Sequence, residues 1–192
     1  MPSGWRALQT DGAPVVITYP GAVWGPDDPT RGDQVQMVVN FLKVGVIPVT
    51  SGGMPVVDAR DLAAVHAACF EPGLGARRFM AGGELVSTAR LVKILRALTG
   101  RRLVHVPVPA PAMRALGRLG DAVQRITPLS LPLTYEAMST LTHGVPCDSQ
   151  ATVNALGVTF RPVEQTVADT LRSLYATGGL SAHQVGRVAG IN

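Results

Sequence analysis

The sequence predicts an α/β fold in which short parallel strands alternate with helices and a mostly helical region follows. Residues 15–19 are apolar and β-branched, which is typical of a buried parallel strand, and they run directly into a turn rich in Pro and Gly. The next segments alternate between strand and helix patterns, and the later segments carry apolar residues at helical spacing. Because ligands of open α/β sheets bind beyond the carboxyl ends of strands, the turn at residues 20–26 is a candidate site wall.

Local signals place the elements in order. A helix ends at about Thr10, before Asp11-Gly12, and the first strand follows at 15–19. A helix at 34–44 is predicted from its apolar stripe, Val35, Val38, Val39 and Leu42. The remaining predicted elements are extended pieces at 46–50 and 54–57 around a tight turn, a helix from 60 or 61 to 70, a strand at 77–81, a helix capped by Ser87 or Thr88 and stopped by Gly100, a strand at 103–106, and helices at 112–126, 133–141, 149–156 and 162–175.

Two of these helices carry specific expectations. In the helix at 60–70, Asp61 is expected to accept N–H bonds from the first turn, and one face carries Leu62, Val65, His66 and Cys69. In the helix at 112–126 the expected inward residues are Met113, Leu116, Leu119, Val123 and Ile126. Gly117 and Gly120 lower its helix propensity, so they are expected to allow close approach of a neighbour.

Composition narrows the class of protein. The chain has 192 residues, of which 46% are hydrophobic and 16% charged, which fits a well-buried globular domain. No apolar run approaches the ~20 residues of a membrane helix, and no secretory signal is recognisable, so a cytoplasmic location is expected. The net charge is +4, but the basic residues are scattered along the sequence, which argues against nucleic-acid binding. Cys69 and Cys147 lack metal-type spacing and are expected to be buried, reduced thiols.

Five stretches of the chain resemble, in order, segments of the extended short-chain dehydrogenases/reductases, which form the NAD-dependent epimerase/dehydratase superfamily. They are Val15-Val16-Ile17-Thr18-Tyr19-Pro20-Gly21-Ala22-Val23-Trp24-Gly25-Pro26, Val56-Val57-Asp58-Ala59-Arg60-Asp61-Leu62-Ala63, Phe79-Met80-Ala81-Gly82-Gly83-Glu84 with the helix ending Leu98-Thr99-Gly100, Val106-Pro107-Val108-Pro109, and residues 156–166, beginning Leu156-Gly157. The first of these is similar to the strand and loop that follow the catalytic Tyr-x-x-x-Lys of that superfamily. There it lies well past mid-chain, whereas here it begins at residue 15.

The resemblance implies a carboxy-terminal portion of a Rossmann-like, doubly wound parallel sheet plus a small, mostly helical substrate domain, with the N-terminal cofactor half absent. It implies that residues 1–80 are the remnant of the Rossmann-like domain, 81–180 the mainly substrate-binding helical region, and 181–192 a tail. The branch it most resembles contains dihydroflavonol reductases and hydroxysteroid dehydrogenases. Tyr19 replaces the Arg that nucleotide-sugar epimerases usually carry, and Trp24 replaces a Tyr, which favours a hydrophobic alcohol, ketone or aldehyde as substrate.

By this resemblance Pro20, Gly21, Ala22 and Val23 are the expected cofactor-side loop for NAD or NADP, and Trp24, Arg60 and Met113 are expected to line the substrate pocket. The chain contains no Tyr-x-x-x-Lys pair, because the residues four positions before its two lysines, Lys43 and Lys93, are Val39 and Ala89. It also contains no glycine-rich dinucleotide fingerprint. We therefore expect no catalytic residue in this chain and no useful cofactor binding by the chain alone.

Other chemistry finds less support in the residues. The histidines are isolated, and one on a helix face, as His66 is, is more often packed than catalytic. Asp27, Asp28 and Asp33 lack the pattern of a calcium loop and are expected to be solvated loop acids, so no metal site is expected. Glu84 is expected to be a turn acid that precedes a helix.

Three hypotheses for the function remain open. The chain could be the pocket-forming part of an NAD(P)-dependent oxidoreductase that works with a separately encoded N-terminal half. It could instead be a non-catalytic binding or regulatory protein of the same fold, or the product of a disrupted gene without function. Within the superfamily, a nucleotide-sugar epimerase/dehydratase is the alternative to the oxidoreductase.

Overall fold

The structure, a computed structural model, describes residues 4–190 except residues 72, 74 and 127–133. Its strands are β1 Val16–Pro20, β2 Ala22–Trp24, β3 Val46–Val49, β4 Gly53–Asp58, β5 Arg77–Ala81, β6 Glu84–Ser87 and β7 Val104–Pro107. Its helices are α1 Gly4–Thr10, α2 Asp33–Val44, α3 Ala59–Ala68, α4 Thr88–Thr99, α5 Ala110–Ile126, α6 Tyr135–His143, α7 Gln150–Leu156, α8 Val163–Ala176 and α9 Ala182–Val185, followed by a 3-10 turn at Gly186–Gly190. The predicted α/β class is confirmed.

The strands form three small sheets. β1 pairs with β5, β2 with β4, and β3 with β7, and all three of these pairs are parallel. β6 extends the second sheet by pairing antiparallel to β4. The two extended pieces predicted around residue 51 therefore do not pair with each other, because β3 and β4 belong to different sheets.

β1 and β4 differ in how deeply their residues are buried. Five of the six positions of β4 are buried, as expected for a strand covered on both faces. Residues 16–19 of β1 are only half-buried, although Val16 and Ile17 are as apolar as the residues of β4. In the described part of the chain, β1 has β5 as its single strand partner. The strand that the sequence predicts to be central is thus an edge strand here.

The apolar stripes of α2 and α4 build the core as predicted. Val35, Val38, Val39 and Leu42 of α2 are all buried, and so are Leu91, Ile94 and Leu95 of α4. Ser87 caps α4 by accepting a hydrogen bond from the Arg90 N–H, and Gly100 ends the helix in the left-handed region at φ 69°. No helix among the described residues is long and apolar enough to cross a membrane.

α5 buries a different face from the predicted one. Met113 is buried, but Leu116 and Leu119 are 43% and 61% exposed. The buried face carries Gly117 and Gly120, because α5 packs closely on α6. A Cβ on Gly117 would lie 2.8 Å from the Thr134 carbonyl oxygen, so the predicted close approach at this glycine is confirmed. Leu133 and the side chain of Ile126 lie outside the described residues.

Three further expectations are wrong. The cysteines are free but only half-buried, because Cys69 ends α3 near the surface and Cys147 lies in a loop. His66 is exposed on α3, and its Nε2 lies 3.0 Å from the Thr18 hydroxyl. The segment after Gly83, expected to be a turn, forms strand β6.

Candidate functional site

The carboxyl ends of β1 and β5 lie side by side, and the chain crosses from there into the neighbouring sheet. The Gly21 N–H donates to the Ala81 carbonyl at 3.1 Å. A Cβ on Gly21 would lie 2.6 Å from the carbonyl oxygens of both Gly82 and Pro55, and Gly83 adopts φ 67° against Val56. The crossing requires glycine because backbone meets backbone there.

A loop and the start of α7 cover this crossing. The Gly82 N–H donates to the Ser149 hydroxyl at 3.0 Å, and the Thr152 hydroxyl donates to the Met80 carbonyl at 2.7 Å. A Cβ on Gly82 would lie 2.3 Å from Cys147 Sγ. The segment from 147 to 152 is thereby fixed over the carboxyl ends of β1 and β5, next to the turn that the sequence singles out.

The segment predicted as a turn at 20–26 is not a single turn, because Ala22–Trp24 form strand β2 and pair with β4. The proposed cofactor-side residues divide into packed and exposed ones. Gly21 and Ala22 are half-buried and form part of the crossing, whereas Pro20 is exposed and Val23 is 40% exposed. Residues 20–26 contain no charged side chain. Pro20 and Val23 therefore offer an apolar surface at the strand ends.

Trp24 lies inside the core. Its side chain is 2% exposed, and it borders a crevice of about 10 Å³ whose lining includes Met54, Val86 and Leu91. Its indole N–H has no hydrogen-bond partner among the described residues. A crevice of this size holds about one water molecule, so contact between Trp24 and a substrate requires the crevice to widen.

A network of ion pairs joins the start of α3 to α8. Asp58 is the last residue of β4, and its carboxylate accepts hydrogen bonds from the Arg60 N–H at 2.9 Å and from the Arg60 guanidinium at 2.8 and 2.9 Å. Arg60 Nη2 also reaches Asp169 of α8 at 2.7 Å. Asp58 is therefore the N-cap of α3 as well as an ion-pair partner.

Asp61, the residue expected to cap α3, has another role. Its carboxylate accepts hydrogen bonds from the Arg161 N–H and Nε, both at 2.8 Å, and from Arg161 Nη2 at 2.6 Å. The expectation is wrong because Asp58 precedes the helix and already occupies the cap position. Asp61 instead fixes the chain just before α8, where Arg161 also lies 3.7 Å from Asp58.

The charges of this network change the acidity of its members. Burial by itself raises the pKa of the Asp58 carboxyl, but the hydrogen bonds from the Arg60 side chain and N–H and from Thr166, together with the charge of Arg161, lower that pKa below its ordinary 3.8. The hydrogen bond to Asp58 raises the pKa of the Arg60 guanidinium, so this group stays charged. Asp58 is thus a carboxylate at neutral pH although its side chain is fully buried.

Two other acids from the sequence analysis also have structural partners. Glu84 is the first residue of β6 and pairs with Arg90, which also binds Glu164 at 2.9 Å. Asp28 accepts four hydrogen bonds from Thr30, Arg31 and Gly32 and so shapes the loop before α2. Within the described ranges, no group of three or more His, Cys, Asp or Glu side chains is placed to hold a metal ion.

The expected site residues lie in different surroundings. Pro20 to Val23 lie at the strand ends, Arg60 belongs to the ion-pair network, and Met113 is buried on α5. Neither Arg60 nor Met113 lines the crevice beside Trp24. The pocket roles of Trp24, Arg60 and Met113 stay predictions. Sequence reasoning missed the parts played by Arg161 and Asp169, because their partners lie about one hundred residues away and no local pattern signals them.

Pro20 and Val23, which the superfamily resemblance assigns to the cofactor side, are apolar and exposed at the strand ends, and an apolar surface is suited to the face of a nicotinamide ring. A pyrophosphate requires a glycine-rich turn that opens a helix or a cluster of cations, and the uncharged turn at 20–26 provides neither.

No family model matches the chain. Sterol demethylase protein B from Methylococcus capsulatus (strain ATCC 33009 / NCIMB 11132 / Bath) is 24% identical over 162 residues, which cover 83% of this chain and 49% of that protein. A nucleoside-diphosphate-sugar epimerase from Pseudomonas aeruginosa superposes with a TM-score of 0.71 at 21% identity, covering 93% of this chain and 53% of that one. The enzyme WbmG of Bordetella bronchiseptica, solved in complex with NAD, superposes with a TM-score of 0.62 at 17% identity, covering 92% of this chain and 48% of that one.

The chain spans about half the length of each of these proteins. The neighbours with printed functions include nucleotide-sugar epimerases, and WbmG was crystallised in complex with NAD. The superfamily resemblance inferred from the five sequence stretches is confirmed at the level of the fold. At these identities the likeness describes the fold, so the chain has the Rossmann-like α/β fold of about half of each of these neighbours.

Proposed function

We propose that this chain forms the substrate side of an NAD(P)-dependent oxidoreductase and acts together with an N-terminal cofactor half supplied by another chain. The substrate would be a hydrophobic alcohol, ketone or aldehyde. The observation that carries the proposal is the state of β1, an apolar strand that is half-buried, lacks a second strand partner in the described part of the chain, and ends at Pro20.

The free edge of β1 is suited to strand addition. Residues of a parallel strand alternate in the edge to which they direct their N–H and C=O groups. Since the Gly21 N–H points to β5, Tyr19 and Ile17 are expected to do the same, and Thr18 and Val16 are expected to face the other edge. A further parallel strand on that edge would satisfy these groups and bury the apolar side chains of β1.

The chemistry of the strand ends favours an apolar substrate. The turn at 20–26 has no charge, Val23 is exposed, and Tyr19 stands where nucleotide-sugar epimerases usually carry Arg. The 24% identical relative is named as a sterol demethylase protein, and a sterol is a large apolar alcohol. We assign Pro20, Gly21, Ala22 and Val23 to the nicotinamide side, and Trp24 and Met113 to the wall behind the substrate. Arg60, held by its ion pairs with Asp58 and Asp169, is assigned to the substrate side as well.

This assignment divides the chain by role. Residues 1–80 would complete the sheet of the cofactor half, residues 81–180 would form most of the substrate side, and residues 181–192 would be a tail. NAD or NADP would then bind between the two chains, with its pyrophosphate held by the partner.

One observation favours a second candidate, a nucleotide-sugar epimerase or dehydratase. A nucleoside-diphosphate-sugar epimerase gives a TM-score of 0.71, although at 21% identity this likeness describes the fold alone. The epimerase would bind a substrate diphosphate, which needs cationic partners, whereas an apolar ketone or alcohol needs none. The apolar segment at 20–26 supplies no such cation, which favours the oxidoreductase.

Reconstitution tests the proposal. The chain is co-expressed with the N-terminal half of a full-length relative, and the purified complex is assayed for NAD(P)H-linked reduction of apolar ketones and for epimerisation of UDP-sugars. We expect ketone reduction by the complex and none by either part alone. A stable complex that converts only UDP-sugars would select the epimerase. A well-folded chain that never associates with such a half would contradict the proposal and favour a non-catalytic binding protein.

A further inference from the structure

A cleft of about 550 Å³ opens at the start of β7, lined by Arg96, Arg101, Arg102, Leu103, Val104 and His105. It lies at the amino ends of the parallel β3–β7 pair, whereas the candidate site lies at the carboxyl ends of β1 and β5. We propose that this cleft is a binding site for a phosphate-bearing ligand. The inference does not depend on the proposed oxidoreductase role.

Two of its arginines are held in place by backbone carbonyls. Arg96 Nε donates to the Leu103 carbonyl at 3.0 Å, and Arg96 Nη2 lies 3.0 Å from His105 Nδ1. Arg101 Nη1 donates to the carbonyls of Leu42 and Gln184 at 2.6 and 3.2 Å. Such contacts orient a guanidinium without neutralising it, and each guanidinium keeps further N–H groups for an oxyanion.

These contacts explain where Arg101 lies, because an Arg commonly binds the last carbonyls of a helix such as α2. They do not explain Arg102, which is exposed and makes no hydrogen bond or ion pair within the described part of the chain. Arg187 lies on the other side of the end of α4, since a Cβ on Gly100 would be 2.7 Å from Arg187 Nε. Of the three arginines that line the cleft, Arg96 and Arg101 thus have roles in the fold, and Arg102 has none in the described part of the chain.

Among the described residues, no carboxylate forms a salt bridge with Arg96, Arg101 or Arg102. The sequence contains no Asp or Glu in residues 34–57, 85–120 or 170–192, which include every residue that lines the cleft and the segments in contact with it. In the described part of the chain, all salt bridges of the arginines involve Arg60, Arg90, Arg161 and Arg172 instead. The three arginines that line the cleft lie within residues 96–102, and a concave surface of one charge sign attracts anions.

The side chains that line the cleft favour a phosphate group over other ligands. Arginine binds the oxygens of a phosphate in bidentate geometry and remains charged at any physiological pH. The cleft volume lies within the range of about 300–1,000 Å³ that small-molecule sites occupy. Val104, which is 56% exposed, adds an apolar surface for the organic part of the ligand. A soluble phosphate ester and a phospholipid headgroup share this chemistry.

Binding of pyrophosphate to the whole chain tests the site. Titration calorimetry at low ionic strength is combined with amide NMR shifts, which should move at Val104 and His105. We expect Arg102→Gln to weaken binding roughly tenfold, the effect of one charge-assisted hydrogen bond. Arg125→Gln, an exposed charge on α5 that does not line the cleft, is the matched control and should change binding less than twofold. Both variants should keep the thermal midpoint of the wild type, because both side chains are exposed.

A second arm separates the two sources of phosphate. Vesicles of phosphatidylcholine with phosphatidic acid are compared with pure phosphatidylcholine in a co-sedimentation assay, with and without pyrophosphate. Sedimentation that needs phosphatidic acid and is reversed by pyrophosphate identifies a lipid headgroup as the ligand, whereas pyrophosphate binding without sedimentation identifies a soluble ligand. Equal losses in Arg102→Gln and Arg125→Gln, equal affinity for sulfate, or no binding of either probe would overturn the proposal.

Discussion

Removing the Asp61 carboxylate should destabilise the protein through one identified partner, Arg161. The carboxylate is almost fully buried and accepts three hydrogen bonds from Arg161 at 2.6 to 2.8 Å. Breaking a buried ion pair by deleting one member typically costs 3–5 kcal/mol. Arg161 is 24% exposed and keeps Asp58 at 3.7 Å, so we expect the low end of this range for Asp61→Ala, about 3 kcal/mol.

A double-mutant cycle measures this energy. Urea unfolding is followed for the wild type, Asp61→Ala, Arg161→Ala and the double variant, and we expect a coupling free energy of about 2 kcal/mol or more. For a chain of this size, the loss in Asp61→Ala corresponds to a melting temperature lower by roughly 6–12 °C. Arg172→Gln, which breaks the more exposed pair with Asp169, is the control and should cost no more than about 0.5 kcal/mol.

The sequence-based expectation gives a different result. If Asp61 acted as the cap of α3, Asp61→Ala would cost about 1 kcal/mol and the loss would be the same with or without Arg161. A coupling free energy near zero would therefore refute the role assigned to the ion pair. If Asp61→Ala does not fold, Asp61→Asn completes the same cycle.

Three further outcomes follow. Gly82→Ala should lower the free energy of unfolding by about 1–3 kcal/mol because its Cβ meets Cys147, whereas Gly190→Ala, which meets no atom within 4 Å, should be close to neutral in the same thermal melts. Because folding lowers the pKa of Asp58, its contribution to stability is complete above pH 3.8 and is lost as the pH falls through the lower folded value. Urea midpoints measured between pH 2 and 5 should therefore fall with the pH, and Asp58→Asn should reduce this fall. A fall of the same size in the variant would contradict the assignment. Trp24→Ala should lower the free energy of unfolding by about 3–5 kcal/mol, because it deletes a core side chain. In a reconstituted enzyme, a selective loss of substrate turnover would support the pocket-wall role of Trp24. Equal losses in turnover and cofactor binding would instead identify a general folding role.

The sequence predicts well what depends on local pattern. The stripe of α2 and the Gly100 end of α4 follow from helical spacing and from the conformational freedom of glycine. Both are set by residues within one or two turns of each other. Near these signals the element boundaries differ from the structure by one or two residues.

The errors arise where tertiary contacts decide. Leu116 and Leu119 match the helical period of a core stripe, but α5 is held against α6 through Gly117, and the leucines are left outside. Asp61 and Glu84 have plausible local roles, yet their partners are Arg161 and Arg90. Arg96, Arg101 and Arg102 are close in the sequence, but no local pattern shows that they and the start of β7 line a cleft.

Hydrogen exchange at the amides of β1 tests the central claim, that this chain presents a strand edge for a cofactor half. In the chain alone, the Thr18 amide should exchange much faster than the Val57 amide of the buried β4, and it should become protected when the N-terminal half of a full-length relative is co-expressed. Protection of Thr18 in the chain alone that equals the protection of Val57, in a monomer that melts cooperatively, would contradict the claim and identify a self-sufficient domain.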